Sequence, residues 1–374
     1  MTRSRGIRHR TLAVGLTLVA MSASALACGA PANPAATSAE VLPQPETTAV
    51  PRGDRMLGID VSEAEGEDYD QAFQLAREAG MQFTSLSVAW DDLEPRPGEF
   101  APDPDWLAIA NLYYPAQHVP LALTITQIDT NRTRLPADLQ GRAFDDPEVI
   151  QRFERLLEKV FTQIPDVELA VLAIGNEVDA TLGSDAEAWA RYRTFFEATA
   201  AHARGLRPGI QVGVKVTMGG LTGRTGEWAQ ALNAQADIVL ATYYPLAADF
   251  GVRPPRVVHD DVTGLVSLYP DRPIGVLEAG YPSSEKLGGS EALQAEFVRQ
   301  VFRAWDAHAA QLKLLNFTWL ADVPEASVEA WTDYYGLHDD RFAAYLATLG
   351  LRRADARSKL AFEALAAEAH ARGW

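Results

Sequence analysis

Cysteine is nearly absent from this chain of 374 residues; Cys28 is the only one. No intramolecular disulfide, cysteine zinc cluster or iron–sulfur site can be built from it. Cations are scarce as well. Lys and Arg total 33 against 50 Asp and Glu, for a net charge of −17. So acidic a chain has no electrostatic footprint for a phosphate backbone, which argues against nucleic acid and anionic membrane faces as partners. The seven His are scattered, with no His-x-x-x-His pair. His259-Asp260-Asp261 reads as the acidic start of a helix rather than a hard-ion site. There is no Gly-x-Ser-x-Gly elbow and no P-loop. No metal and no cofactor are therefore expected. What remains is ordinary globular composition, 47% hydrophobic, 22% charged and 9% aromatic. Wholesale disorder, collagen and coiled coil are excluded.

The first 27 residues read as a targeting segment. Arg3, Arg5, Arg8 and Arg10 precede an apolar run from about Leu12 to Leu26, too short for a membrane span. Ala25-Leu26-Ala27-Cys28 resembles the lipobox of bacterial lipoproteins; the other reading is an ordinary secretory signal cleaved near Ala27. The resemblance implies an exported protein lipidated at Cys28 and anchored to a bacterial membrane, at the cell surface or in the periplasm, without spanning it. Removing residues 1–27 takes the net charge from −17 to −21. Residues 28–54, rich in Ala, Pro and Thr, read as a tether.

From residue 55 to 374, short apolar runs alternate with helical stretches. The runs are 56–61, 83–88, 120–126, 169–174, 212–217, 238–242, 274–277 and 314–319. They are β-branched or Leu-rich with little polar alternation, as parallel strands buried on both faces require. Helix signals fall between them. Gly80 closes a stretch over 70–79, Asp146-Pro147 opens one, Ser184-x-x-Glu187 reads as a capping box, Ser290 caps another and 354–371 forms the last. Eight such units predict an α/β fold, a single (β/α)₈ TIM barrel. An open doubly wound sheet normally shows a glycine-rich turn after its first strand, and none is present.

A barrel builds its site at the C-terminal ends of its strands. The residues there are Asp60, Trp90, Gln127 and Asp129, Asn176-Glu177, Tyr243-Tyr244, Glu278, and Trp319 with Asp322. Two carboxylates sit on strands four and seven, among aromatics and almost no cation. Aromatic walls suit sugar faces, and paired carboxylates suit glycosidic chemistry. Only one of Tyr243 and Tyr244 can point inward by strand alternation, and Tyr244 is favoured. Lys215, inside strand five, is either an interior partner of a carboxylate or a residue that contacts the sugar.

At these positions the chain resembles the clan A (β/α)₈ glycoside hydrolases, which carry Asn-Glu at the end of strand four and Glu at the end of strand seven. Here Ile174-Gly175-Asn176-Glu177 and Val276 through Pro282 stand in those places. Leu57 through Ser62, Thr242-Tyr243-Tyr244-Pro245 and Glu278 through Pro282 look like family 53, the endo-β-1,4-galactanases. The resemblance implies a retaining glycosidase with Glu177 as acid/base and Glu278 as nucleophile. It implies that Tyr244 hydrogen-bonds Glu278, that Asn176 holds the sugar 2-hydroxyl and that Trp319 walls a subsite. Asp60 and Trp90, from their place at strand ends, are read as further substrate contacts, with capping of the next helix as the other reading of Asp60. Clan members carry an Arg near the end of strand two, where this chain has Ser85, and a His in strand three, where it has Gln127 and Asp129. The missing Arg predicts a less supported nucleophile and an activity whose acid limb lies higher. The partner expected is a carbohydrate, the protein a monomer. A surface lipoprotein that binds glycan without cleaving it, and an envelope transglycosylase, are the alternative readings.

Overall fold

The computed structural model describes residues 49–374. The signal segment, Cys28 and the tether up to residue 48 lie outside the described residues. Residues 50–54, at the end of the expected tether, already belong to the fold, as does Arg55, at the expected start of the barrel. Arg52 N–H donates to Arg372 O at 2.9 Å, and the Arg55 guanidinium lies over Trp305 and Trp374 at 5.0 and 5.2 Å while pairing with Asp306.

All eight expected strands form: β1 (Met56–Ile59), β2 (Thr84–Ala89), β3 (Leu121–Asp129), β4 (Leu169–Asn176), β5 in two pieces (Val212–Gly213 and Lys215–Thr217), β6 (Val239–Tyr243), β7 (Ile274–Ala279) and β8 (Leu312–Phe317). They pair in parallel as β1-β8-β7-β6 with the second piece of β5, and as β2-β3-β4 with its first piece. The break at Val214 lets one strand serve both halves. The other seam is a single parallel bridge, Gly58↔Phe83. Gly58 is required there, because a Cβ would overlap Asn316 and Phe83. The ring is thus a closed (β/α)₈ barrel.

Helices surround it: α1 (Tyr69–Glu78), α2 (Trp106–Gln117), α3 (Pro147–Gln163), α4 (Ala186–Leu206), α5 (Gly226–Asn233), α6 (Val257–Leu268) and α7 (Glu291–Ala307). Asp68, Asp146 and Ser290 cap α1, α3 and α7 through their side chains. The cap of α4 is Asp185 rather than Ser184; its carboxylate takes the N–H groups of both Glu187 and Ala188. An ionised acceptor that satisfies two free donors outcompetes a hydroxyl one residue earlier. After β8 the chain adds α8 (Glu325–Tyr335) and α9 (Asp340–Ala347) before α10 (Leu360–Arg372). The last helix starts at Leu360 rather than 354, because Arg352 binds Glu67 and Ala356 O and pins that stretch as a turn. Among the described residues no helix is long and apolar enough to cross a membrane.

Inside the barrel, Phe83, Ala122, Val171, Ala173, Ile238, Leu240, Leu277 and Leu314 form an apolar plug. Toward the C-terminal ends of the strands the interior turns polar, and there the candidate residues collect.

Candidate active site

Glu177 follows directly on β4. Gly175 has φ +91° and Glu177 φ +44°. A Cβ at 175 would strike the Tyr192 hydroxyl, so glycine is needed. A glutamate in left-handed backbone costs roughly 1–2 kcal/mol, which the surrounding bonds must offset. Thr242 donates to Glu177 Oε1 at 2.5 Å and Thr130 to Oε2 at 3.3 Å. The carboxyl is held well above the usual carboxylate range, first by burial, then by the charges of Glu278 and Asp179.

Glu278 lies in β7, and its register partner on β6 is Thr242, whose hydroxyl touches Glu177. One threonine therefore connects the two carboxyls. Lys215 Nζ donates to Glu278 Oε1 at 2.7 Å and the Tyr244 hydroxyl to Oε2 at 3.0 Å. Tyr243 turns outward to Asp261 on α6, which also binds Arg253. Lys215 is thus the interior partner of a carboxylate. It supplies a cation from β5 where the resemblance has an Arg on β2, so Glu278 has a buried cationic partner in place of the one it lacks.

Asp60 accepts from Ser85, from Asn316 Nδ2 at 2.7 Å and from Thr318 at 3.0 Å. Burial outweighs these bonds and pushes its carboxyl up to about 6. Asn176 donates to Asp129 Oδ1 at 2.9 Å, which fixes its amide orientation, while its Oδ1 is buried with no partner among the described residues. Trp319 Nε1 is in the same state. Buried unpaired polar atoms cost on the order of 1–3 kcal/mol each and call for a partner. Gln127 is turned away, its amide donating to the Tyr192 hydroxyl.

The insertion after β8 covers this group. Tyr244 and Trp319 share one apolar cluster with Tyr335, Phe342 and Tyr345. Tyr334 donates to Asp129 Oδ2 at 2.7 Å and accepts from Arg134 at 2.8 Å, and Asn131 donates to Tyr335 O at 3.0 Å. These bonds tie α8 to the end of β3. As a result Glu177 is 0%, Glu278 3% and Trp319 0% exposed. Trp90 is not part of the group. It packs edge-on against Phe153 of α3, and its indole donates to Glu94 at 2.9 Å.

No protein-family model matches the sequence, and no curated protein matches it. Solved structures do. The exo-β-1,4-mannosidase Op5Man5 from Opitutaceae bacterium strain TAV5 superposes with a TM-score of 0.66 at 16% identity, over 88% of this chain and 62% of that one. This chain therefore spans less than two thirds of that mannosidase. A family 5 subfamily 18 variant from Streptomyces cattleya, in complex with Manβ1-4GlcNAc, gives 0.65 at 16%, over 84% and 80%. The family 53 catalytic domain from Ignisphaera aggregans gives 0.61 at 15%, over 85% and 98%. The barrel is the fold these glycoside hydrolases share.

Chemically, the mouth offers one carboxyl biased toward its protonated form beside one held by an ammonium and a phenol. Sequence reasoning missed the role of Thr242, although it opens the Thr242-Tyr243-Tyr244-Pro245 motif, and missed Thr130, which carries no motif, and the cover of Tyr334, Tyr335 and Tyr345. The aromatic density of 331–345 was the available signal for that cover.

Proposed function

We propose that this protein is a retaining glycoside hydrolase acting on β-linked sugars. Glu177 protonates the leaving oxygen and Glu278 attacks the anomeric carbon, forming a covalent glycosyl-enzyme. Glu177 then takes a proton from the water that releases the sugar. The observation that carries this reading is the contrast between the two carboxyls. One is buried and biased toward its neutral form, and the other is paired with Lys215. Environments that separate two neighbouring carboxyls in this way divide acid from nucleophile. Asn176 and Trp319, each with an unpaired buried polar atom, are the groups a sugar hydroxyl would satisfy. With Asp60, Asp129, Glu177 and Glu278 around one ammonium, neutral sugars are favoured over uronic acids. The similarity of the fold to glycosidases acting on β-linked sugars supports the reading.

The test is release of 4-nitrophenol from a panel of β-glycosides, galactoside, mannoside and glucoside first, with Glu278→Ala and Glu177→Ala beside the wild type. Product anomers are followed by proton NMR. Cleavage with retention, abolished in Glu278→Ala, is expected; inversion, or full activity in that variant, overturns the assignment. The cover over the mouth favours a second reading, a glycan-binding protein without turnover, which binding of a sugar without cleavage by the wild type would establish. Lipidation at Cys28 and export belong to the proposal as well, and metabolic labelling of the chain with palmitate, lost in Cys28→Ala, would test them.

A further inference from the structure

The carboxyl groups of the mouth outnumber its cations. Glu278 on β7 is faced by Lys215 from β5, Tyr244 from β6, Glu177 from β4 and Asp60 from β1, with Tyr335 of α8 and Tyr345 of α9 close enough to feel its charge. Asp129, at the end of β3, also senses Lys215. The other buried cations of the described residues are committed elsewhere. Arg55 and Arg372 hold Asp306, Arg152 holds Glu94, Arg352 holds Glu67 and Lys359 holds Asp322. The side chains of Lys215 and Glu278 are 5% and 4% exposed at 2.7 Å, so solvent screens the pair little. The break in β5 at Val214 matters here. It puts Lys215 on the piece that pairs with β6, two residues before Thr217, whose register partner Thr242 holds Glu177.

Two neighbouring carboxyls without a cation compete for one proton, and neither is committed to a role. A cation on one of them breaks the tie. We infer that Lys215 is the positioning residue that assigns the roles: its ammonium keeps Glu278 as the anion and so leaves the proton on Glu177. This rests on the hydrolase reading for its consequence in rate, but the charge assignment itself is measurable without a substrate. The ammonium also acts at longer range on Asp129 and Glu177, but its hydrogen bond goes to Glu278. Loss of the ammonium removes the cation that hydrogen-bonds Glu278 and leaves the Tyr244 hydroxyl as a donor to it.

The experiment compares full-length wild type with Lys215→Met, Lys215→Gln and Lys215→Arg. Carboxyl carbon NMR on glutamate-labelled protein follows positions 177 and 278, assigned by the resonances lost in Glu177→Gln and Glu278→Gln. In Lys215→Met the position-278 resonance is expected to move away from its wild-type carboxylate position at neutral pH, with Lys215→Arg returning most of the change. Where a 4-nitrophenyl β-glycoside is cleaved, kcat falls about tenfold or more, KM stays within about threefold, and the loss of rate at low pH sets in at a higher pH than in wild type. If Lys215→Met does not fold, Lys215→Gln is read in its place. An unshifted resonance in a folded neutral variant overturns the inference, as does a uniform drop in rate at every pH. A shifted resonance in a protein that cleaves nothing keeps the charge assignment and removes the hydrolase reading.

Discussion

Trp331 lies nearly parallel to Trp319, ring centroids 4.9 Å apart and planes 25° from coplanar. A flat apolar ring at the end of the eighth strand is what a sugar face would stack on, and here another ring of the same chain stacks against it. Trp331 is only half-buried, so trimming it costs about 1–2 kcal/mol rather than a full core truncation. In Trp331→Ala, oxidation of Trp319 in hydroxyl-radical footprinting is expected to rise several-fold. A glycoside ligand should then protect it. Unchanged reactivity of Trp319 would mean that the cover does not depend on this stack.

Glu177 combines strained backbone with a buried carboxyl, and both weigh against stability. Its carboxyl is held above the unfolded value, so the folded state binds the extra proton and loses stability as pH rises through the folded titration. Glu177→Gln removes that loss and keeps an acceptor for Thr242. The variant is expected to melt a few degrees above wild type at pH 8, with the difference shrinking toward pH 5, while activity falls by about a thousandfold or more. Thermal melts across that range decide it, and a variant less stable than wild type at pH 8 would show that the ionised carboxylate has compensating partners.

The eight strands were legible in the sequence because each is a short apolar run bounded by helix signals, and a barrel buries both faces of every strand. The strand ends then placed Glu177, Glu278, Tyr244 and Asp60 near one another. Trp90 was misplaced because a residue at a strand end can turn outward into a one-turn helix, as Trp90–Leu93 does, and pack beneath α3 instead. The contacts that shape the site were not legible. Thr242 reaches Glu177 across 65 residues of sequence, and the bridging of Asp129 by Tyr334 spans 205. Neither leaves a local pattern. Lys215 stood out as an odd residue in a buried strand, but only the register chooses between its two possible roles.

Asp60 offers a test of the first strand's contribution. Ionised, it accepts three bonds, from Ser85, Asn316 and Thr318; protonated, it needs one hydroxyl to turn and accept. Its carboxyl titrates at about 6 in the fold, above the usual 3.8. The folded state therefore gains stability as pH falls from about 7 toward 5 and holds that gain below the unfolded value. In Asp60→Asn this part of the pH dependence should disappear, so that the melting temperatures of variant and wild type draw together as pH falls from about 7 toward 4. A parallel pair of curves would place the proton on another group.

Lys359 holds the covering insertion from below. Its ammonium is buried and donates to Asp322 Oδ1 at 2.7 Å, Gly350 O at 2.9 Å, and Ser283 Oγ and Thr348 O at 3.1 Å. These acceptors lie on the segment after β7, at the end of β8 and just beyond α9, so one cation ties three loops together. Burial pulls the ammonium's affinity for its proton down and pushes Asp322 up to about 6, while their attraction opposes both shifts. Removing the ammonium leaves the Asp322 carboxylate buried without its cation, while Gly350 O keeps only Gln294 and Thr348 O only Ser283 as donors, a loss of about 3–5 kcal/mol. Lys359→Met is expected to lower the melting temperature accordingly and to speed proteolysis within 325–347. Adding Asp322→Asn should recover part of the stability, because the stranded carboxylate is gone, but not the resistance to proteolysis, because the bonds to the two carbonyls are still missing. A double variant no more stable than the single one would assign the loss to packing around the lysine stem instead of to the charge.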